Sequence, residues 1–346
     1  MIKDSVFNTS TNTTEQSAQP TENLSSGYSP LFIVLNAGSG DKNALSIENK
    51  LAKVFHDADQ PYELFLCRRP NDLPAMTKQA VRQAGLSEGV VVAAGGDGTI
   101  RFVAQEVLAA GLQFGVLPLG TFNYFARDNG IPQDPVVAAE MLIAAMRADY
   151  ERPVQVGQLN DQIFLVNASL GLYPQLLADR EKFKQQHGRS RITAKLAGLL
   201  TLLKRNTQML LRIEHTGGQQ GSGEEVIPAS TIFVGNNSLQ LQGIGLSSEA
   251  ESVQQGQLAI IALPPINVTE RIALALRGML GLLDKAPNLT HFACRELVVE
   301  PLTRHGRQYV KVAMDGEGAK MTPPLIFRVG SQPLRLVVDP LARVEE

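Results

Sequence analysis

Three short stretches join glycine to amide, hydroxyl or carboxylate side chains at the ends of apolar runs. They are residues 36–40 (NAGSG), 95–99 (GGDGT) and 118–123 (PLGTFN). Residues without a Cβ let backbone amides approach an anion closely and take positive φ freely, which is the use expected of Gly95, Gly96 and Gly98. A helix opening at such a turn adds its positive end, and Thr99 is placed to cap it. Asp97 is an acid at a phosphate-type turn, so a mediating cation is needed, which points to Mg²⁺. By itself, an aspartate between glycines also reads as a helix cap or an Asx-turn. A fourth stretch, MDGEG at 314–318, carries Asp315 and Glu317 on an Asp-Gly hairpin signal, after the alternating Val310, Val312 and Met314. No Gly-Lys-Ser/Thr follows the second loop and no G-x-G-x-x-G is formed, which excludes a P-loop and a dinucleotide fingerprint.

The elements that must position these loops follow from periodicity. LFIVLN from Leu31 is a continuous apolar run, as in a strand covered on both faces. An apolar segment at 62–67 leads to helical spacing of Leu73, Met76, Ala80, Val81 and Ala84. Residues 90–94 read as a buried strand and 95–99 as a turn. Ile100, Val103, Ala104, Val107 and Leu108 then recur as one helix face. A further strand and loop (LQFGVLPLGTFNYFARDNGIP) precede the helix VVAAEMLIAAMRAD. Strands alternating with helices predict an α/β domain with a mostly parallel sheet over 30–151, its loops at the C-terminal strand ends where ligands bind. Beyond Arg152, shorter apolar runs separated by turns predict an antiparallel β-sandwich over 152–340, with helical insertions at 192–203 and 270–283. Residues 1–29 are rich in Ser, Thr, Asn and Gln and read as a disordered tail, whose Asn-x-Ser/Thr triplets are chance matches.

Composition narrows the function classes. With 346 residues, 44% hydrophobic, there is enough chain for two cores, and a formal charge of −2 gives no basic excess for nucleic acid. Cys67 and Cys294 stand far apart, which suggests neither a disulfide framework nor a zinc site and fits a reducing cytoplasm. No apolar run reaches the ~18 residues of a membrane span, and no export leader is expected. Residues 180–205 hold eight Lys or Arg against one acid, Glu181. Ile192, Leu196, Leu199, Leu200 and Leu203 line one face there, so this segment either lies on an anionic bilayer or packs on its own domain. His56, His187, His215, His291 and His305 show no ligand spacing.

AAGGDGTI followed by GVLPLGTFNYFARDNGIP resembles the diacylglycerol kinase catalytic-domain family, which includes bacterial lipid kinases and the sphingosine and ceramide kinases. The likeness spans nearly all of 31–338. NAGSG is similar to that family's N-P-x-S-G loop, with Ala37 in place of proline, and FLVNASLG, VGNN and MDGEG fall in the order of its second domain. G-G-D-G alone is shared with NAD kinases and phosphofructokinases; the L-P-x-G-T-x-N loop and the late D-G-E add the specificity.

The resemblance implies phosphotransfer from ATP to a membrane lipid, diacylglycerol-like or related. The cleft would lie between a Rossmann-like α/β domain of the NAD kinase and phosphofructokinase type and a β-rich lipid domain. Asn36, Gly38, Ser39, Gly95, Gly96, Asp97, Gly98, Thr99 and Thr121 would line the nucleotide site. Asp97 would act on Mg²⁺ through Mg-ATP, Glu317 would be the general base, and Arg101, Asn123, Tyr124 and Asp315 would lie on the acceptor side. Peripheral contact with the inner face of the membrane is implied, with no nucleic acid and with the oligomeric state left open. Arg101 stands where many relatives carry Asn, Tyr124 where many carry Asp, and Cys67 where some carry a nucleotide-contacting threonine. Gln254 and Gln255 replace an Asp-rich turn that holds a structural Mg²⁺ in relatives, so that metal is not expected. The competing readings are a catalytically weak lipid- or nucleotide-binding regulator and a soluble-substrate kinase of NAD kinase type; LPLGTFN argues against the second.

Overall fold

The computed structural model describes residues 28–36, 44–171, 208–218, 221–287, 289–302, 309–339 and 342. Gly38, Ser39, nearly all of the 1–29 tail, the basic window 180–205 with its expected helix, His187 and His305 lie outside the described residues.

The first sheet grows from the apolar runs: β1 (Leu31–Asn36), β2 (Tyr62–Cys67), β3 (Val90–Gly95) and β4 (Gln113–Pro118) pair in parallel in the order β2-β1-β3-β4. Every residue of β3 is buried, so both of its faces are covered, as a parallel sheet requires. The covering helices are α1 (Ala44–Asp57), α2 (Leu73–Ser87), α3 (Asp97–Ala110), α4 (Tyr124–Asp128) and α5 (Pro135–Arg147). Val103, Ala104 and Val107 of α3 and Ala138, Leu142 and Ile143 of α5 feed the same core as the strands.

Two three-residue strands complete this sheet from far along the chain. β5 (Arg152–Val154) lies at its edge, and β18 (Leu334–Leu336) sits between β4 and β5, parallel to the former and antiparallel to the latter. The domain boundary expected at 151 therefore cuts the first sheet. Runs of three residues carry too little alternation to announce a strand, so periodicity could not place them.

The rest is antiparallel. One six-stranded sheet runs β10 (Gly221–Ala229), β9 (Met209–Gly218), β14 (Glu296–Pro301), β17 (Leu325–Val329), β6 (Gly157–Leu159), β7 (Gln162–Phe164). The other runs β13 (Thr290–Cys294), β12 (Leu258–Leu263), β11 (Thr231–Gly235), β8 (Asn167–Gly171), β15 (Val310–Met314), β16 (Glu317–Met321). They share one core, to which the first sheet gives Phe164, Leu211, Leu297 and Phe327 and the second Leu170, Ile232, Leu258 and Val312. Two short helices, α6 (Ser238–Gly243) and α7 (Ser247–Gln254), occupy a region read from sequence as turns. The expected helix at 270–283 is α8 (Val268–Met279), started earlier by a capping box in which Asn267 and Glu270 exchange hydrogen bonds at 2.9 Å. Among the described residues, no helix is long and apolar enough to cross a membrane.

Leu336 is fully buried in the returning strand. Leu336→Ala is expected to lower unfolding free energy by about 2–5 kcal/mol in a urea titration. A loss below about 1 kcal/mol would mean that the return of β18 contributes little to the first sheet.

Candidate active site

The end of β3 pairs with the end of β4, Gly95 opposite Pro118, and Leu119 N donates to Gly95 O at 2.9 Å. The two glycine loops therefore leave the sheet side by side. Their backbones touch: a Cβ on Gly120 would stand 2.7 Å from Gly96 Cα and 2.5 Å from Asn123 Oδ1, so no larger residue fits there. Helix α3 begins at Asp97 with Gly96 as its N-cap, earlier than the sequence pattern placed it. Thr99 is consequently inside the first turn and does not cap it. Its hydroxyl instead accepts from Asn36 Nδ2 at 2.8 Å, which joins the end of β1 to the G-G-D-G turn.

Asp97 reaches across to the second loop. Its Oδ2 accepts from Tyr124 N at 3.3 Å and its Oδ1 from Phe125 N at 3.2 Å, so the carboxylate closes the N-terminus of α4. Burial raises its pKa above the ordinary range, against these amide bonds, which lower it. Asn123 was expected on the acceptor side, but it is buried and holds its own loop. At φ 49° its Oδ1 accepts from Gly120 N at 2.9 Å, while Nδ2 donates to Gly120 O and to Gln133 Oε1, both at 3.1 Å. Thr121 and Phe122 are exposed, and the Phe122 ring stacks on Tyr124 with centroids 5.8 Å apart.

The three second-domain motifs converge on Asp315. This buried carboxylate accepts from Leu165 N at 2.7 Å and from Val166 N and Asn167 N, both at 2.9 Å. Asp315 N in turn donates to Asn167 O, and Asn236 N donates to Val166 O at 2.8 Å. FLVNASLG, VGNN and MDGEG thus form one hydrogen-bonded knot. Asp315, another expected acceptor-side residue, is committed to this knot. Burial pushes its carboxyl up to about 6, against the pull of the amides and of the Arg101 charge. Asp315 and Gly316, at φ 46° and 85°, make the tight turn that delivers Glu317. Glu317 is exposed and lies over the G-G-D-G turn, for a Cβ on Gly98 would be 3.0 Å from its Oε1.

Sequence reasoning missed the residues that lock the two parts together. Asp128 at the end of α4 accepts from Ser238 Oγ at 2.7 Å, Leu239 N at 3.0 Å and Ser238 N at 3.3 Å, capping α6 from the other domain. Asn237 Nδ2 donates to Tyr124 O at 3.1 Å, and Gln105 Oε1 of α3 accepts from Ile163 N at 2.8 Å. Asn237 had a signal, since Asn three residues before Gln is an N-cap pattern; Asp128 and Gln105 had none, because their partners are remote in sequence. Cys67 is buried at the end of β2, where burial and then Asp72 push its thiol up to about 11, so it is no nucleophile at neutral pH.

Asp315 also makes a pH test. Its carboxyl titrates near 6 in the folded chain against an ordinary 3.8, so the folded state holds the extra proton between these values. Its contribution to stability is present at low pH and is lost as pH rises through about 6. From about pH 4 to pH 7, wild type should lose about 2–3 kcal/mol relative to Asp315→Asn, whose own penalty is a pH-independent offset. Parallel urea-stability profiles of the two proteins would contradict this.

Residues 30–159 match the family described as diacylglycerol kinase catalytic domain. A probable lipid kinase YegS-like from Pseudomonas putida is 34% identical over 196 residues, covering 55% of this chain and 60% of that protein. The diacylglycerol kinase of Bacillus subtilis is 30% identical over 207 residues, covering 58% and 64%. The chain thus aligns with about three-fifths of the length of these curated relatives. A putative diacylglycerol kinase from Bacillus anthracis shares the fold, with a TM-score of 0.66 at 18% identity over 91% of this chain and 98% of that one. Residues 30–159, which carry both glycine loops, are thus the part of the chain that is similar to the diacylglycerol kinase catalytic domain.

Proposed function

We propose that the protein is a lipid kinase that moves the γ-phosphoryl group of ATP to a hydroxyl of a membrane lipid. The observation that carries this reading is the approach of Glu317 to Gly98: a carboxylate from the β-rich part stands over a phosphate-type turn of the α/β part. In the reaction the acceptor oxygen bonds to the γ-phosphorus as the bond to the β-phosphate oxygen breaks, and Glu317 takes the hydroxyl proton. The transition state is loose, so positioning and charge stabilisation dominate.

The first sheet is read as a Rossmann-like nucleotide fold of the NAD kinase type. Its donor site is formed by the amides of Gly95, Gly96 and Gly98 with Asn36, Thr99, Thr121, Gly38 and Ser39. Mg²⁺ bound with ATP neutralises phosphate charge, and it needs one or two carboxylates beside the phosphates. Asp97 and Glu317 are the carboxylates at this turn. Asp97, which accepts the Tyr124 and Phe125 amides at the turn, is the carboxylate that would meet such an ion, and exposed Glu317 is left as the base. Among the described residues, no three acidic, His or Cys side chains cluster, which leaves most of the ion's ligands to ATP and water. Tyr124, stacked on exposed Phe122, and the basic window 180–205 are assigned to the acceptor lipid and to an anionic membrane face.

Labelled ATP and a total lipid extract test the reading directly. Glu317→Gln should lower kcat by about 10²–10⁴-fold with the KM for ATP little changed. Asp97→Asn should abolish transfer to every labelled lipid species. Undiminished cellular activity of both variants would favour the regulator, and conversion of NAD to NADP would favour a soluble-substrate kinase.

A further inference from the structure

We propose that Arg101 holds a phosphoryl oxygen in the cleft beside Gly98 and Glu317. The identity of that phosphate rests on the kinase reading; the anion site itself does not. Arg101 follows Gly98 by three residues and Asp97 by four on α3, so the three share one helix face. Gly98 meets Glu317 on that face, and Asp315, on the same Asp-Gly turn, feels the Arg101 charge. The guanidinium therefore stands near the proposed reacting groups.

What sets this arginine apart is an enclosed donor, its Nε, that meets no acceptor among the described residues. A guanidinium carries five N–H donors in a rigid fork and stays charged at all working pH. Enclosing one of those donors unmatched is unfavourable, and native chains retain such groups where something else supplies the acceptor. The nearby acids do not supply it. Asp97 and Asp315 are turned to backbone amides, and the Glu317 side chain is exposed.

The missing acceptor is an anion with several oxygens. A planar fork matches phosphate bidentately, which a neutral hydroxyl or carbonyl cannot reproduce. Two sources share this chemistry: the phosphoryl group of the donor, and a phosphate carried by the acceptor lipid.

The test compares wild type with Arg101→Gln and Arg101→Lys. Calorimetric titration uses tripolyphosphate and glycerol phosphate, and kinetics use monoacylglycerol and lysophosphatidic acid, acceptors that differ by one phosphate. Arg101→Gln should weaken one of the two anions by at least about tenfold, with partial recovery in Arg101→Lys. Weaker tripolyphosphate with kcat lowered equally for both acceptors identifies the donor phosphoryl. Weaker glycerol phosphate with a raised KM for lysophosphatidic acid alone identifies the acceptor phosphate. Thermal unfolding of Arg101→Gln should stay level or rise, because an enclosed unmatched donor is gone; a purely structural arginine would give a fall. If no acceptor is phosphorylated yet the titrations show the loss, the anion site stands and the kinase reading fails. Unchanged titrations and kinetics in a folded Arg101→Gln protein would overturn the proposal.

Discussion

The backbone of residues 165–167 belongs to two structures at once, and the cleft depends on it. The side chains of Leu165 and Val166 are buried in the core of the first sheet, while the amides of Leu165, Val166 and Asn167 converge on the carboxylate of Asp315. Three N–H donors on one buried acid fix its position in all directions, and the tight turn that follows carries Glu317. The distance from Glu317 to the G-G-D-G turn is thereby set by a segment rooted in the first core. A salt bridge between exposed side chains could not hold it so, since such pairs contribute little and bend freely.

The same device recurs. Asp97 closes the N-terminus of α4, and Asp128, at the other end of that helix, caps α6. Asn237 returns the contact by donating to Tyr124 O, and Asn236 links the next residue of that strand end to Val166. Hydrogen bonds thus run from the first glycine loop through α4 to the second domain and on to Asp315. Each is worth about 1 kcal/mol net, more where the acceptor is charged. Their value lies in direction: a carboxylate facing amides has one geometry, while an apolar contact slides. Burial works against ionisation at Asp97 and Asp315, and the amides offset only part of that cost, since both carboxyls stay above their ordinary range.

This division explains what was legible in the sequence. The parallel strands and their helices were plain, because VVVAAG and LFIVLN are apolar throughout and the helix faces repeat at 3.6 residues. The antiparallel half was legible from turn spacing. The glycine loops were legible because backbone approach demands glycine, and the hairpin at Asp315 because a tight turn demands Asp-Gly; the role of Glu317 came from the family resemblance alone. The roles of Asp97, Asn123, Asp128 and Asp315 were hidden, since a side chain that serves a remote backbone leaves no local pattern. β5 and β18 were hidden for a simpler reason, being three residues each. An aspartate beside glycine reads the same whether it faces a metal or an amide; only the fold shows which groups it meets.

The return of β18 completes the constraint. The chain leaves the first sheet after Val154 and comes back at Leu334, and these crossings run together, with Gly330 N donating to Val156 O at 2.8 Å. A Cβ on Gly330 would lie 2.5 Å from Val156 Cγ2, so only glycine permits the approach. Paired crossings, the 165–167 segment and the α4–α6 contact hold the halves at three separate places. The carboxylates and the glycine turns are therefore arranged before any ligand arrives, which is the condition for a reaction governed by positioning. Among the unmatched buried polar groups of the described residues Arg101 is the charged one, and Asp97 and Asp315 beside it accept from amides while Glu317 is open to solvent. A frame of this kind is complementary to negative charge that comes from outside it.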